Sequence, residues 1–158
     1  MKKNPFILLL CISFQWLLAQ CNDGEIELWD NCYGIDITYE LNLSGQGLSG
    51  GIPNTIAQLS NLMFLDLSNN NLEGIIPQEI VSMETLLGFN LSHNSLSGGI
   101  PEELGSLTNL MSMDLSHNQL SGIVPNSIGN MTGLVEISLD HNPVSYTHLR
   151  AHETSDNL

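Results

Sequence analysis

The strongest constraint in this sequence is a beat of 24 residues. Segments that begin at Thr38, Leu62, Leu86, Leu110 and Leu134 superpose without a gap. Apolar residues recur at Leu41, Leu65, Phe89, Met113 and Ile137, and two places on at Leu43, Leu67, Leu91, Leu115 and Leu139. A polar amide follows at Gln46, Asn70, Asn94, Asn118 and Asn142. Gly50, Gly74, Gly98 and Gly122 come next, then Pro53, Pro77, Pro101 and Pro125, each after an apolar residue. A unit this short cannot bury its own apolar face, so a fixed period of this length implies a solenoid of stacked coils.

Each slot has a physical reason. The alternation around Leu41–Leu43 and its copies predicts a short strand whose leucines point into the coil and whose intervening residues point out. The amide after the strand can turn inward and satisfy backbone groups of adjacent coils, so Gln46, Asn70, Asn94, Asn118 and Asn142 are expected to form a ladder. Gly supplies a backbone conformation other residues resist, and Pro fixes φ where the chain crosses to the far side.

The pattern L-x-x-L-x-L-x-x-N-x-L-x-G-x-I-P, carried from Thr38 to about Val144, resembles the leucine-rich repeat family in its plant-type subclass of 24 residues. The resemblance implies an α/β-type repeat solenoid, a right-handed coil with a short parallel β-sheet on the concave face and a mostly irregular or 3-10 convex side. It divides residues 38–143 into units 38–61, 62–85, 86–109 and 110–133, with a partial unit 134–143. It also implies recognition of a protein, peptide or glycan through the concave face. The outward positions there are Glu40, Asn42, Phe64, Asp66, Asn90, Ser92, Ser112, Asp114, Ser116, Glu136, Ser138 and Asp140. That face is small, polar and acidic with one aromatic, and a surface kept merely soluble has the same composition.

The chain opens with Lys2 and Lys3, an apolar run from Phe6 to Leu18 and a small residue at Ala19. This is the layout of an export signal, expected to be removed near 1–19, and the run is too short to span a bilayer comfortably. A lipoprotein box ending at Cys21 is the minor alternative, because Gln20 stands where a small residue is usual. Residues 20–37 are expected to cap the first coil, whose apolar end would otherwise face water. In an exported chain Cys21 and Cys32 read as a disulfide, with two free thiols as the alternative. The segment with Trp29 resembles the disulfide-bearing caps of plant-type arrays, although it lacks a second Cys pair. Export implies a secreted or cell-surface location.

Between Gln20 and Pro143 there are 15 acidic residues and no Lys or Arg. So acidic a surface repels phosphates and anionic head groups, which disfavours nucleic acid and membrane surfaces as partners. Gly45 to Gly50 spells G-x-G-x-x-G, but these are repeat positions rather than the strand–helix junction that a dinucleotide site needs. No nucleophile elbow, HExxH or phosphate-binding loop is present, and neither a catalytic role nor a cofactor is expected. His93, His117 and His141 recur at the period just before the ladder amide. Stacked coils would bring them within about 4.8 Å of one another. A straight row converges poorly on one ion, so the histidines read as ordinary turn residues and no metal is assigned. Asn42, Asn90 and Asn130 head N-x-S/T sequons, two of them products of the repeat.

After Pro143 the beat stops: Tyr146 and Leu149 stand where Gly and Pro are due. Val144 to Thr154 resembles the translation of a transposase-type sequencing adapter, so residues 144–158 are expected to be a non-native or disordered tail. The sequence thus reads as an exported, non-enzymatic binding module. The alternative is the truncated ectodomain of a longer receptor, receptor-like kinase or surface adhesin.

Overall fold

The computed structural model describes residues 21–146. The expected export signal, and the expected tail from Thr147 onward, lie outside the described residues.

Two antiparallel strands, β1 (Glu25–Leu28) and β2 (Asn31–Gly34), form the cap. Alternation in β1 turns Ile26 and Leu28 into the core, at 6% and 1% exposure, where they cover the apolar end of the first coil. Trp29 and Asp30 make the tight connection, both with positive φ, as a two-residue hairpin turn demands. Cys21 and Cys32 are joined as a disulfide that ties the chain before β1 to β2, with their Cα atoms 5.4 Å apart.

Behind the cap the coils stack. Their first strands, β3 (Glu40–Asn42), β5 (Phe64–Asp66), β7 (Gly88–Asn90), β9 (Ser112–Asp114) and β12 (Glu136–Ser138), form one parallel sheet in the order β12-β9-β7-β5-β3. Register follows the sequence period: Leu41 pairs with Leu65, Leu65 with Phe89, Phe89 with Met113 and Met113 with Ile137. The stacked apolar slots make one continuous core, in which Leu67, Leu91 and Leu115 have no exposure at all.

A second parallel strip, which the sequence reading does not anticipate, follows each ladder amide. Strands β4 (Ser49–Gly50), β6 (Asn71–Gly74), β8 (Ser95–Gly98) and β10 (Gln119–Leu120) run side by side, and β11 (Gly122–Ile123) pairs with β13 (Val144–Ser145). Its step is 22 residues, not 24: Gly50 pairs with Leu72, Gly74 with Leu96, Gly98 with Leu120 and Gly122 with Val144. Each strip position therefore faces the residue two places earlier in the next coil's repeat, a slip of one full pleat that preserves which side each residue faces.

The chain then crosses the far side through 3-10 turns at Asn54–Gln58, Gln78–Ser82, Glu102–Ser106 and Asn126–Asn130. Pro53, Pro77, Pro101 and Pro125 precede them with φ between −64° and −58°, the value that the ring imposes. Ile56, Ile80 and Leu104 drop from these turns into the core.

At the other end the picture changes. Ile137 is 40% exposed, against 2% for Leu65 and Phe89 in the same slot, because no further coil stacks on β12 among the described residues. The boundary expected at Pro143 also moves. Val144 and Ser145 join the second strip, and the Val124 amide donates to the Ser145 carbonyl at 3.1 Å, so the array runs at least to Ser145. This pairing uses backbone alone, which is why the loss of Gly and Pro in the sequence did not forecast it.

Candidate binding face

The sheet of first strands sends two rows of side chains outward. The first is Glu40, Phe64, Gly88, Ser112 and Glu136; the second is Asn42, Asp66, Asn90, Asp114 and Ser138. Together these rows line a groove of about 400 Å³. Phe64 is 48% exposed and lies over Gly88, where an added Cβ would come within 2.9 Å of the ring. The missing side chain makes room for the aromatic. The glycine in a slot that otherwise carries a side chain was the available signal, and the sequence reading passed over it.

The second row also shapes the turn that follows. Asn42 Oδ1 accepts from the Ser44 amide at 3.0 Å, Asp66 Oδ1 from Ser68 at 2.9 Å, Asn90 Oδ1 from Ser92 at 3.0 Å and Asp114 Oδ1 from Ser116 at 2.9 Å. A short side chain that accepts from the backbone two residues on is the usual way Asn and Asp start a turn. One oxygen of each acid is thus committed to structure.

A third row, Ser44, Ser68, Ser92, Ser116 and Asp140, follows just beyond the strands and corrects the expected face. Ser92 and Ser116 are only 4% and 6% exposed, and the Ser92 hydroxyl donates to Asn90 at 2.8 Å. The turn buries these serines against the residue two places earlier, so they brace the face and offer almost no contact surface. Strict alternation placed them outside; the turn ends the alternation one residue early.

In the last coil the roles invert. The Ser138 hydroxyl donates to Asp140 Oδ1, and His141 Nδ1 lies 2.7 Å from Asp140 Oδ2. Led by the Ser138 bond and then the His141 one, these contacts hold the exposed Asp140 carboxyl down to about 2 from its ordinary 3.8.

After the third row comes a slot with left-handed backbone, occupied by Gly45, Asn69, His93, His117 and His141, with φ between 53° and 65°. Asn and His are among the side chains that tolerate this region best. The backbone holds each in step: the His93 amide donates to the Ser116 carbonyl at 3.0 Å and the His117 amide to the Asp140 carbonyl at 2.9 Å. The three imidazoles consequently stack face to face, with ring centres 4.1 Å apart for His93 and His117 and 3.9 Å for His117 and His141.

The amide ladder forms at four of its five expected positions. Asn70, Asn94, Asn118 and Asn142 each accept the amide of the Leu 22 residues earlier at 2.9–3.0 Å, and each donates to carbonyls of its own and the preceding coil. Gln46 does not belong to it. Its amide is exposed and reaches only the Ser44 carbonyl, at 3.5 Å, because the first coil has no earlier coil of its kind to clasp.

Comparison with known proteins agrees with this geometry. A family model described as "Leucine rich repeat" matches residues 38–97 and 98–144. No curated protein matches the chain. Among solved structures, the BIR2 ectodomain from Arabidopsis thaliana is 37% identical over 67% of this chain and 56% of its own, with a TM-score of 0.65. The BIR3–SERK2 complex, also from Arabidopsis thaliana, gives 31% identity over 78% of this chain and 65% of that one, with a TM-score of 0.65. The Arabidopsis receptor kinase HAESA ectodomain, in complex with the peptide hormone ligand IDA, gives 39% identity over 66% of this chain, with a TM-score of 0.64. The chain spans only 18% of that ectodomain and little more than half of the BIR2 chain. With the family model covering more than half of its residues and the coils stacked as the repeat dictates, the chain belongs to the leucine-rich repeat family.

Proposed function

We propose that the chain is an extracellular, non-enzymatic binding module that takes a protein or peptide ligand on the outer face of β3, β5, β7, β9 and β12. The observation that carries this reading is the groove itself. Phe64 stands half-exposed with its ring over Gly88 of the middle strand, and Glu40, Asp66, Asp114 and Glu136 line the same groove. An aromatic set among charges of one sign gives a ligand an apolar anchor and a reason to carry the opposite charge. The neighbours support the ligand class: HAESA binds the peptide hormone IDA, and RGFR1 was solved in complex with RGF2. The Cys21–Cys32 disulfide supports an oxidising compartment.

A second reading makes the chain part of the ectodomain of a longer receptor. The neighbours favour it, being receptor ectodomains several of which are much longer than the matched part.

The test is selection of a random peptide library on the immobilised protein, followed by affinity measurement with Phe64→Ala and Gly88→Trp. Loss of binding in both variants is the expected result. Selected peptides that bind both variants as well as the parent would refute the groove as the site.

A further inference from the structure

We propose that His117, Asp140 and His141 form a binding site for a borderline divalent transition-metal ion of the Zn²⁺ class. Three ligand atoms lie together: His117 Nε2 is 4.0 Å from Asp140 Oδ2, and His141 Nδ1 is 2.7 Å from the same oxygen. All three lie within 4.8 Å of one another. Tetrahedral ligands at zinc distances of about 2.1 Å are separated by about 3.4 Å, so each contact is within about 1.5 Å of what coordination requires. The side chains are free enough to close that difference, with exposures of 39%, 59% and 65% for His117, Asp140 and His141.

A row of imidazoles alone would not converge, since flat rings in a stack point their lone pairs in parallel. Asp140 changes this. It comes from the position just before His141 and lies within reach of both rings, so two nitrogens and one oxygen form a triangle with its open side to solvent for water. Imidazole and carboxylate together suit zinc better than calcium, which takes oxygen ligands in larger number. On coordination the His141 ring binds through Nδ1, and the proton shared there with Asp140 passes to Nε2 or to solvent. The positioning is built into the fold, because the His117 amide donates to the Asp140 carbonyl at 2.9 Å and the His141 ring stacks on that of His117. The surrounding charge favours any cation: 15 acids and no Lys or Arg lie between Gln20 and Pro143.

The fold also supplies clean controls. Asn69 occupies the same left-handed slot with φ 56°, so His117→Asn and His141→Asn exchange one native occupant of that slot for another. Isothermal titration of the full chain with Zn²⁺ should show one site. Binding should weaken roughly tenfold or more in His117→Asn, in His141→Asn and in Asp140→Asn, with the metal-free variants still folded by circular dichroism. The paired replacement of His148 and His152 by Asn should leave the affinity within about twofold, as should His93→Asn, whose ring stacks on His117 without joining the triangle. Zn²⁺ binding that survives His117→Asn and His141→Asn together, or that vanishes with His148 and His152, would overturn the proposal. So would no measurable binding by the parent chain.

Discussion

Asn118 clasps Leu96 across the boundary between two coils: its Oδ1 accepts the Leu96 amide at 3.0 Å, while its Nδ2 donates to the Leu91 carbonyl at 3.0 Å. Asn118 is 7% exposed and Leu96 fully buried, so water cannot replace these bonds. Truncation to Ala should strand a buried donor and several acceptors, at a cost of about 2–4 kcal/mol. Gln46→Ala should change stability by less than about 0.5 kcal/mol, since that amide is exposed and makes one long bond. Urea unfolding of both variants checks the contrast, and equal losses would mean that Gln46 is a ladder member after all.

Gly105 and Gly129 share a slot in the 3-10 turns but not a fate. A Cβ on Gly105 would collide with the Ser127 backbone of the following coil, while nothing lies within 4 Å of one on Gly129. Gly105→Ala should cost about 1–3 kcal/mol through forced separation of the two turns. Gly129→Ala should be neutral or slightly stabilising, because it lowers the freedom of the unfolded chain. Thermal melts of the two single variants separate these outcomes.

Asp140 offers a pH test with a fixed order of causes. Its carboxyl titrates at about 2, held there first by the Ser138 hydroxyl and second by His141. Ser138→Ala should raise the midpoint toward 3.8 by more than His141→Asn does, as read by the carboxyl carbon shift in an NMR titration. A folded value below the unfolded one stabilises the fold above pH 3.8, and that contribution disappears as pH falls through about 2. Acid unfolding of Ser138→Ala should therefore differ least from the parent at the lowest pH and most above pH 4.

The cap should report on the redox state. The Cys21–Cys32 bond closes a short loop, with a sequence separation of 11. In the chain-entropy picture its loss costs about 2–3 kcal/mol. Cys21→Ser with Cys32→Ser should lower the melting temperature while the repeats keep their circular-dichroism signature. An unchanged melting temperature would show that the cap folds and unfolds apart from the array.

The period made most of the fold legible, because a 24-residue register is written into the side chains themselves. Leu65 pairs with Phe89 as the alignment of units requires. What escaped was carried by the backbone or by the end of a regular pattern. The second strip leaves no mark in residue type, since its 22-residue step joins Gly50 to Leu72 through peptide groups. Ser92 and Ser116 look outward by alternation and are buried by the turn. Gln46 carries the right functional group in the one coil that has nothing to clasp. The histidines were visible as a row, whereas their approach to Asp140 depends on the last coil exchanging the usual order of acid and serine.

The constancy of the two steps, 24 across one sheet and 22 across the other in each pairing that carries them, gives every coil the same backbone joint to its neighbour. A second copy of residues 86–109 spliced in tandem would pair with the original on one side and with residues 110–133 on the other through the same two backbone steps. The array would grow by one strand spacing, about 4.8 Å. It would also acquire one more clasping Asn and one more imidazole. Length in this molecule is a dial that turns in whole clicks.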